Sequence, residues 1–300
     1  MAAEVWTVRR ILQWTTDYLE GKGDEHPRLS AEWLLSNATG LSRVEIYMNF
    51  DKPLTMGERD LMREGVRRRG AGEPLQYVTG EMPFRHIVLR CEKGVLIPRP
   101  ETEILVDAAL EGVDAALGGA DGGEQAMARV LEVGVGTGCI SCSIAGEREQ
   151  TIVVGTDVSA QAAALARRNA EALGLGGRVD VVECDLVAGV PNELAGTFAV
   201  LVSNPPYIPS DVVPTLPMEV QGFEPGLALD GGPDGLDVFR RLLAEAPRLL
   251  APAGMLCVEL FEENVHDAAL LVEEQGGWAS VEVRDDLTHR PRVLVAVRER

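Results

Sequence analysis

The sequence predicts two domains of different class, a small all-helical domain at the N-terminus and behind it an α/β domain built on a mostly parallel sheet. Three observations carry that prediction. Residues 1 to about 75 hold short helical patterns without a convincing strand run. From about residue 129 onward strand-like and helical stretches alternate, the pattern of a sheet covered on both faces. The first of those strands runs into Gly134-Val135-Gly136-Thr137-Gly138, a turn of the kind that receives a ligand at a strand end. With 300 residues and 46% hydrophobic content, the chain can form one medium domain and one small one.

In the helical part, Ser42-Arg43-Val44-Glu45 and Thr55-Met56-Gly57-Glu58 each place a hydroxyl three residues before a glutamate, the pattern of a capping box. Trp6, Ile11, Leu12, Leu19, Trp33, Leu34 and Leu35 are its expected core. Arg67-Arg68-Arg69 before Gly70 reads as a helix C-terminus, where cations complement the dipole and glycine makes the turn. Gly72-Glu73-Pro74 then breaks the helical pattern. Between Gln76 and Pro98 the β-like runs Gln76-Tyr77-Val78-Thr79 and Ile87-Val88-Leu89 predict a hairpin or extended connector. A helix through Leu110 follows Pro98-Arg99-Pro100-Glu101-Thr102-Glu103, and Gly118 to Gln125 reads as a flexible surface loop. Strands are expected near 129–133, 151–156, 179–184, 197–203, 254–260, 278–284 and 292–298. The last two are joined by Asp285 to Pro291, too short for a helical crossover, so they should pair antiparallel. Seven strands ending in an antiparallel hairpin resemble the Rossmann-like methyltransferase fold.

Lys+Arg 28 against Asp+Glu 47 gives a net charge of −19, which makes duplex DNA a poor default partner. The five cysteines, an odd number in apolar surroundings, fit reduced thiols in a cytosolic protein. Cys139 and Cys142 form a C-x-x-C on a core-facing helix and read as small buried hydrophobes. His26, His86, His266 and His289 lie far apart, so no metal site is predicted. The N-terminus carries Glu4 without a continuous apolar stretch, and no segment reaches the ~18 apolar residues of a membrane span. A soluble, cytoplasmic protein is expected.

The glycine turn follows G-x-G-x-G spacing, with Glu132 two residues before Gly134. Dinucleotide enzymes usually show G-x-G-x-x-G, whereas this spacing with a preceding acid resembles an S-adenosylmethionine turn, Glu132 then lying beside the cationic methionine end. Asp157 closes the next strand, where a carboxylate can accept both ribose hydroxyls. Asp185 and Leu186 end the third strand. They can flank an adenine, and a helix N-cap is the competing role for Asp185. Asn204-Pro205-Pro206-Tyr207 ends the fourth strand on the same side. Its two prolines supply no N–H, leaving carbonyls free to point into a cleft. An amide nitrogen with two hydrogens needs two acceptors, which the Asn204 side-chain oxygen and the Pro205 carbonyl can supply, with the Tyr207 ring as a flat wall.

Taken in order, Gly72-Glu73-Pro74-Leu75-Gln76-Tyr77-Val78-Thr79-Gly80, Leu96-Ile97-Pro98-Arg99-Pro100-Glu101-Thr102-Glu103, the glycine turn, Asn204 to Tyr207, Phe223-Glu224-Pro225 and Leu229-Asp230-Gly231-Gly232 resemble the release factor glutamine N5-methyltransferases, the PrmC/HemK family. The similarity covers nearly the whole chain. It implies a helical bundle over 1–75 that docks the release factor, a hairpin linker over 76–103 and a catalytic domain over 104–300. The implied substrate is the glutamine of the Gly-Gly-Gln motif. The implied reaction is attack of its amide nitrogen on the sulfonium methyl of S-adenosylmethionine, with S-adenosylhomocysteine leaving. Gly134 to Gly138, Asp157, Leu186 and Asn204 match the family's cofactor positions, and Asn204 to Tyr207 its substrate loop. Arg99 and Glu101 either close the cofactor pocket or form a structural ion pair, and Glu224 either buttresses the substrate loop or caps a turn. Two stretches depart from the family pattern. Arg85-His86-Ile87-Val88 stands where a more aromatic or glycine-containing run is usual, and Asp286-Leu287-Thr288-His289-Arg290 lacks a glycine often found there. Methylation of adenine N6 or guanine N2 in nucleic acid is the alternative, since Asn-Pro-Pro-Tyr can also hold a flipped base; the charge argues against it and against stable nucleic-acid binding.

Overall fold

The computed structural model describes residues 5–119 and 127–300. The chain divides into two units, one of residues up to Glu81 together with Pro217–Phe223, the other of Met82–Leu216 together with Glu224–Arg300.

In the first unit the helices are α1 (Val8–Glu20), α2 (Pro27–Thr39), α3 (Arg43–Met48), α4 (Met56–Arg69) and α5 (Leu75–Thr79). Both capping boxes form, Ser42 with Glu45 and Thr55 with Glu58, so each helix start satisfies its own backbone donors. Ile11, Leu12, Leu19, Leu34 and Leu35 are buried together with Val8, Ile46 and Met62, while Trp6 packs partly buried against them and Trp33 stays half-buried. Arg67 to Arg69 do end α4. Arg68 pairs with Glu73 and donates to the Tyr77 carbonyl, and Arg69 pairs with the half-buried Asp24.

The β-like run at 76–79 is helix α5 instead. Its β-branched and aromatic residues favour a strand, but tertiary contacts override that preference. Pro74 starts the helix, Gly80 ends it at φ 80°, Tyr77 is buried, and Asn37 Nδ2 donates to the Thr79 carbonyl that the helix leaves free.

Two strands, β1 (Glu81–Phe84) and β2 (Ile87–Arg90), form a small hairpin. Its turn holds Arg85 at φ 49°, a left-handed conformation that glycine adopts more easily. Arg85 is tied there by Glu147 at 2.6 and 2.9 Å, by Asp107 at 2.7 Å and by the Glu103 carbonyl at 3.0 Å.

Helix α6 (Thr102–Gly119) runs well past the expected end at Leu110, because apolar residues continue to face the core through Val113. Of the loop expected over Gly118 to Gln125, residues 120–125 lie outside the described residues. Then follow β3 (Ala128–Val133), α7 (Cys139–Glu147), β4 (Thr151–Asp157), α8 (Ala160–Ala172), β5 (Val179–Glu183) and β6 (Phe198–Ser203). After the short α9 (Met218–Gln221) of the first unit come α10 (Asp237–Leu249), β7 (Leu250–Glu259), α11 (Val265–Gln275), β8 (Trp278–Asp285) and β9 (Pro291–Arg298).

The seven strands β3 to β9 make one sheet in the order β5-β4-β3-β6-β7-β9-β8, parallel from β5 to β7. As the short connection predicts, β8 and β9 pair antiparallel, and β9 also runs antiparallel to β7. This is the Rossmann-like methyltransferase architecture. Strand alternation sends Val130, Val200 and Val202 to one face, against α6 and α7, and Leu131 and Leu201 to the other, against α10 and α11, where Phe198 joins them across a register shift before Val200. The closing turn needs no glycine. His289 takes φ 61°, and the Asp286 carboxylate accepts from the backbone N–H groups of Thr288 and Arg290. No helix among the described residues is long and apolar enough to cross a membrane.

Candidate active site

Strand order reverses between β3 and β6, and an open α/β sheet binds ligands in the crevice at such a point, outside the carboxyl ends of its strands. A cavity of about 400 Å³ lies there, lined by Gly134 and Gly136 after β3, Asp157 at the end of β4, Asp185 and Leu186 after β5, and Asn204, Pro205 and Pro206 after β6. The sheet thus gathers residues of four separate motifs around one space.

Gly134, Gly136 and Gly138 stand at φ 80°, 55° and 84°, conformations that a side chain would strain. Asp157 holds this turn in place. Its Oδ2 accepts from the Gly136 N–H at 2.9 Å and its Oδ1 from the Ser159 N–H at 2.8 Å. Burial raises its pKa, and these two bonds oppose the shift. Leu186 is left-handed at φ 47°, and Asp185 Oδ2 meets Arg241 Nη2 at 2.6 Å. No helix begins after Asp185, since residues 184–190 run through turns, so the N-cap reading of that residue is set aside.

Glu132, Val135, Thr137 and Gly138 do not line the cavity. Val135 and Thr137 are buried, and Gly138 is the N-cap of α7. Glu132 lies under the turn with its carboxyl buried. Its Oε2 accepts from the Ser141 N–H at 2.8 Å and bonds the Ser141 hydroxyl, while Oε1 has no partner. Burial pushes its pKa up to about 8. On the same helix the Cys139 and Cys142 thiols are buried, and burial pushes Cys142 up to about 12, in keeping with small core hydrophobes.

The loop from Asn204 to Tyr207 is held at several points. The Ser203 hydroxyl donates to the Val133 carbonyl at 2.7 Å, Asn204 Nδ2 to Thr102 Oγ1 at 3.2 Å, and Asn264 Nδ2 to the Tyr207 carbonyl at 3.2 Å. Pro205 and Pro206 supply the apolar surface on this side of the cavity. Tyr207 does not line it. The ring packs against the core cluster on that face of the sheet, and its hydroxyl donates to Glu259 Oε1 at 3.1 Å. Arg99 forms an ion pair with the buried Glu224, and neither these residues nor Glu101 line the cavity. The structural-pair reading of Arg99 is the one the geometry favours, with Glu224 as the partner.

Sequence reasoning missed Thr102, Glu259, Arg241 and the lining residues Gly94, Val95 and Leu96. Glu259 carried a signal, an acid closing the apolar run Met255-Leu256-Cys257-Val258. Arg241 carried none, being one of several charges on an amphipathic helix.

Comparison with known proteins covers both units. The PrmC N-terminal domain model matches residues 10–80 and the methyltransferase small domain model residues 123–214. The release factor glutamine methyltransferase of Rhodopirellula baltica is 39% identical over 289 residues, 96% of this chain and 95% of that protein. This chain belongs to the release factor glutamine methyltransferase family. Another member, from Geobacter sulfurreducens, is 44% identical over 257 residues, 86% of this chain and 85% of its own length. Among solved structures, the hMettl16 catalytic domain in complex with MAT2A 3'UTR hairpin 6 superposes with a TM-score of 0.53 at 14% identity, over 70% of this chain and 74% of that one. At that identity the likeness is one of fold.

Proposed function

We propose that the protein transfers a methyl group from S-adenosylmethionine to the side-chain amide nitrogen of the glutamine in the Gly-Gly-Gln motif of peptide-chain release factors. The observation that carries this reading is that Asn204, Pro205 and Pro206 border the same cavity as the glycine turn and Asp157. One space therefore offers amide acceptors and a place for a nucleoside.

The cavity residues suit that cofactor. The glycine turn leaves room for backbone approach, the Asp157 carboxylate suits ribose hydroxyls, and Val95, Leu96 and Leu186 offer apolar faces for a base beside Asp185. Glu132, buried beneath the turn with Oε1 unpartnered, is assigned to the cationic methionine end. The bound cofactor supplies a methyl group activated by a sulfonium. Asn204 Oδ1 and the Pro205 carbonyl each accept one N–H of the glutamine amide and so aim its nitrogen. A neutral amide is a poor nucleophile because its lone pair is delocalised, so positioning and acceptors that strengthen as the nitrogen grows more acidic do most of the work. Pro206 bounds the amide plane, and Tyr207 anchors the loop from below.

The helical unit over residues 1–75 is assigned to docking the release factor, which places the protein in the cytoplasm with translation termination. Stable nucleic-acid binding is not part of this reading, given the net charge of −19. The test is incubation with methyl-labelled S-adenosylmethionine and, in parallel, a release factor, its Gly-Gly-Gln variant with Gln→Ala, and duplex DNA. Label on the wild-type factor alone is expected. Label on DNA would move the activity to adenine or guanine.

A further inference from the structure

Among the described residues, Arg241 is the one cationic side chain that lines the cavity, and it has no part in the methyl transfer set out above. It stands on α10, whose Phe239, Leu242, Leu243 and Ala246 are buried on the core side. Val238 and Arg241, one turn apart, present an adjoining strip of the helix to the cavity. The other two arginines of α10 bond acids close by in sequence, Arg240 to Asp234 and Asp237, Arg248 to Glu245. Arg241 instead reaches Asp185, beyond the end of β5, with Nη2 at 2.6 Å from Oδ2. Asp185 is placed by its backbone. The Ala188 N–H closes a turn on the Asp185 carbonyl at 3.1 Å, and the Cys184 N–H just before it donates to the Asp157 carbonyl at 2.9 Å. No other group among the described residues bonds the Asp185 side chain, so Oδ1 remains an open acceptor. Both side chains are more than half exposed, at 55% and 58%, and an ion pair in that much water adds little to stability.

We propose that Arg241 is a positioning residue for the base of the cofactor, and that through Asp185 it makes the cavity select a purine with an amino group at C6. An ionised carboxylate only accepts hydrogen bonds. Left alone in water it rotates freely, whereas the planar guanidinium holds it in one orientation. With Oδ2 committed to Arg241, Oδ1 is left to accept from an exocyclic N–H. A base with a carbonyl at C6 would set oxygen against oxygen there and leave both without a donor, which a site built around a hydrogen bond penalises. A base entering the cavity also displaces water from around the pair, and the attraction between Asp185 and Arg241 strengthens as it does so. The inference rests on the S-adenosylmethionine reading above. It adds to that reading a residue of α10 and the feature of the base that is read.

The experiment measures by calorimetry the affinity of the full-length protein for S-adenosylhomocysteine and for S-inosylhomocysteine, which carries a carbonyl at C6. Wild type, Arg241→Met, Asp185→Asn and the Asp185→Asn/Arg241→Met double variant are compared, and Tm is recorded for each. The wild type should prefer the adenosine ligand by at least about thirtyfold. Arg241→Met keeps the apolar stem and removes the donor. It should bind the adenosine ligand about tenfold more weakly and the inosine ligand within about twofold of wild type, with Tm within about 2 °C. Asp185→Asn, whose amide can turn to offer either a donor or an acceptor, should bind the two ligands within about threefold of each other. The double variant should hold the adenosine ligand no more than about threefold more weakly than Asp185→Asn, because Arg241 acts through Asp185. A wild type that binds both ligands equally overturns the proposal and leaves the cofactor reading standing. An Arg241→Met variant that binds the adenosine ligand within about twofold of wild type, or loses both ligands alike, also overturns it, as do losses that multiply in the double variant. A wild type that binds neither ligand overturns the cofactor reading, and this proposal with it, before any variant is compared.

Discussion

Glu132 and Asp157 are acids at neighbouring strand ends, and burial raises the pKa of each. Glu132, with one oxygen unpartnered, reaches about 8 from an ordinary value of 4.5. Its folded pKa is raised, so its contribution to stability is complete below about 4.5 and is lost as pH rises through about 8. The urea midpoint of the wild type should therefore fall across that window, and Glu132→Gln should flatten the fall; an unchanged slope in the variant would assign the titration to another group. At Asp157 both oxygens already hold backbone N–H groups, so Asp157→Ala should loosen the Gly136 turn and weaken S-adenosylmethionine binding first, as calorimetry would show. Normal affinity would remove Asp157 from the ribose role. Asn204→Ala should do the opposite, leaving cofactor affinity within about tenfold while methyl transfer falls by ~10²-fold or more. Unchanged turnover would rule out the two-acceptor cradle.

Between residue and fold, two turns show how packing decides what a loop tolerates. The Leu229-Asp230-Gly231-Gly232 run packs directly on the substrate loop. A Cβ at Gly231 would stand 2.7 Å from the Pro206 carbonyl oxygen and 2.8 Å from Tyr207 Cα, both backbone atoms that cannot swing aside. Gly231→Ala should thus shift the loop and lower kcat by at least tenfold, roughly the cost of misplacing a reacting group, with cofactor affinity retained. The hairpin turn at Arg85 is the converse case, a side chain where glycine would be easier, kept by its pairs with Glu147 and Asp107. Replacing Arg85 by glycine loses those pairs but relieves the backbone, whereas alanine loses the pairs and keeps the strain. Arg85→Gly should consequently be more stable than Arg85→Ala by about 1 kcal/mol, the reverse of the usual order in a helix or strand, with both below wild type in urea unfolding. The departures from the family pattern at Arg85 and at His289 are therefore paid for locally, by ion pairs in one turn and by the Asp286 carboxylate in the other.

For the whole molecule, the helical unit offers an exposed aromatic pair, Trp14 stacked on Tyr18 at 5.3 Å, with Arg59, Arg63 and Arg67 around the same cleft. If this unit docks the release factor, Trp14→Ala should raise KM for the factor severalfold with kcat unchanged. An unaltered KM would take this face out of docking.

What the sequence determined by itself was whatever depends on neighbours along the chain. Period-two and helical patterns set the strands and helices of the sheet, residue spacing set the glycine turn, and paired hydroxyl and glutamate positions set both capping boxes. The order of motifs set the family. The tertiary structure decided the rest, because it depends on which distant segments the sheet brings side by side. It made 76–79 a helix, since Tyr77 is buried and Asn37 completes the last turn. It moved Tyr207 off the cavity and Glu132 beneath the turn, and it brought Thr102 against Asn204 across 102 residues of chain. Glu259 shows the division most plainly. Its charge at the end of an apolar strand was visible in the sequence, but which groups would meet it depended on β7 lying beside β6 under the loop, and a hydrogen bond exists only where folding sets donor against acceptor.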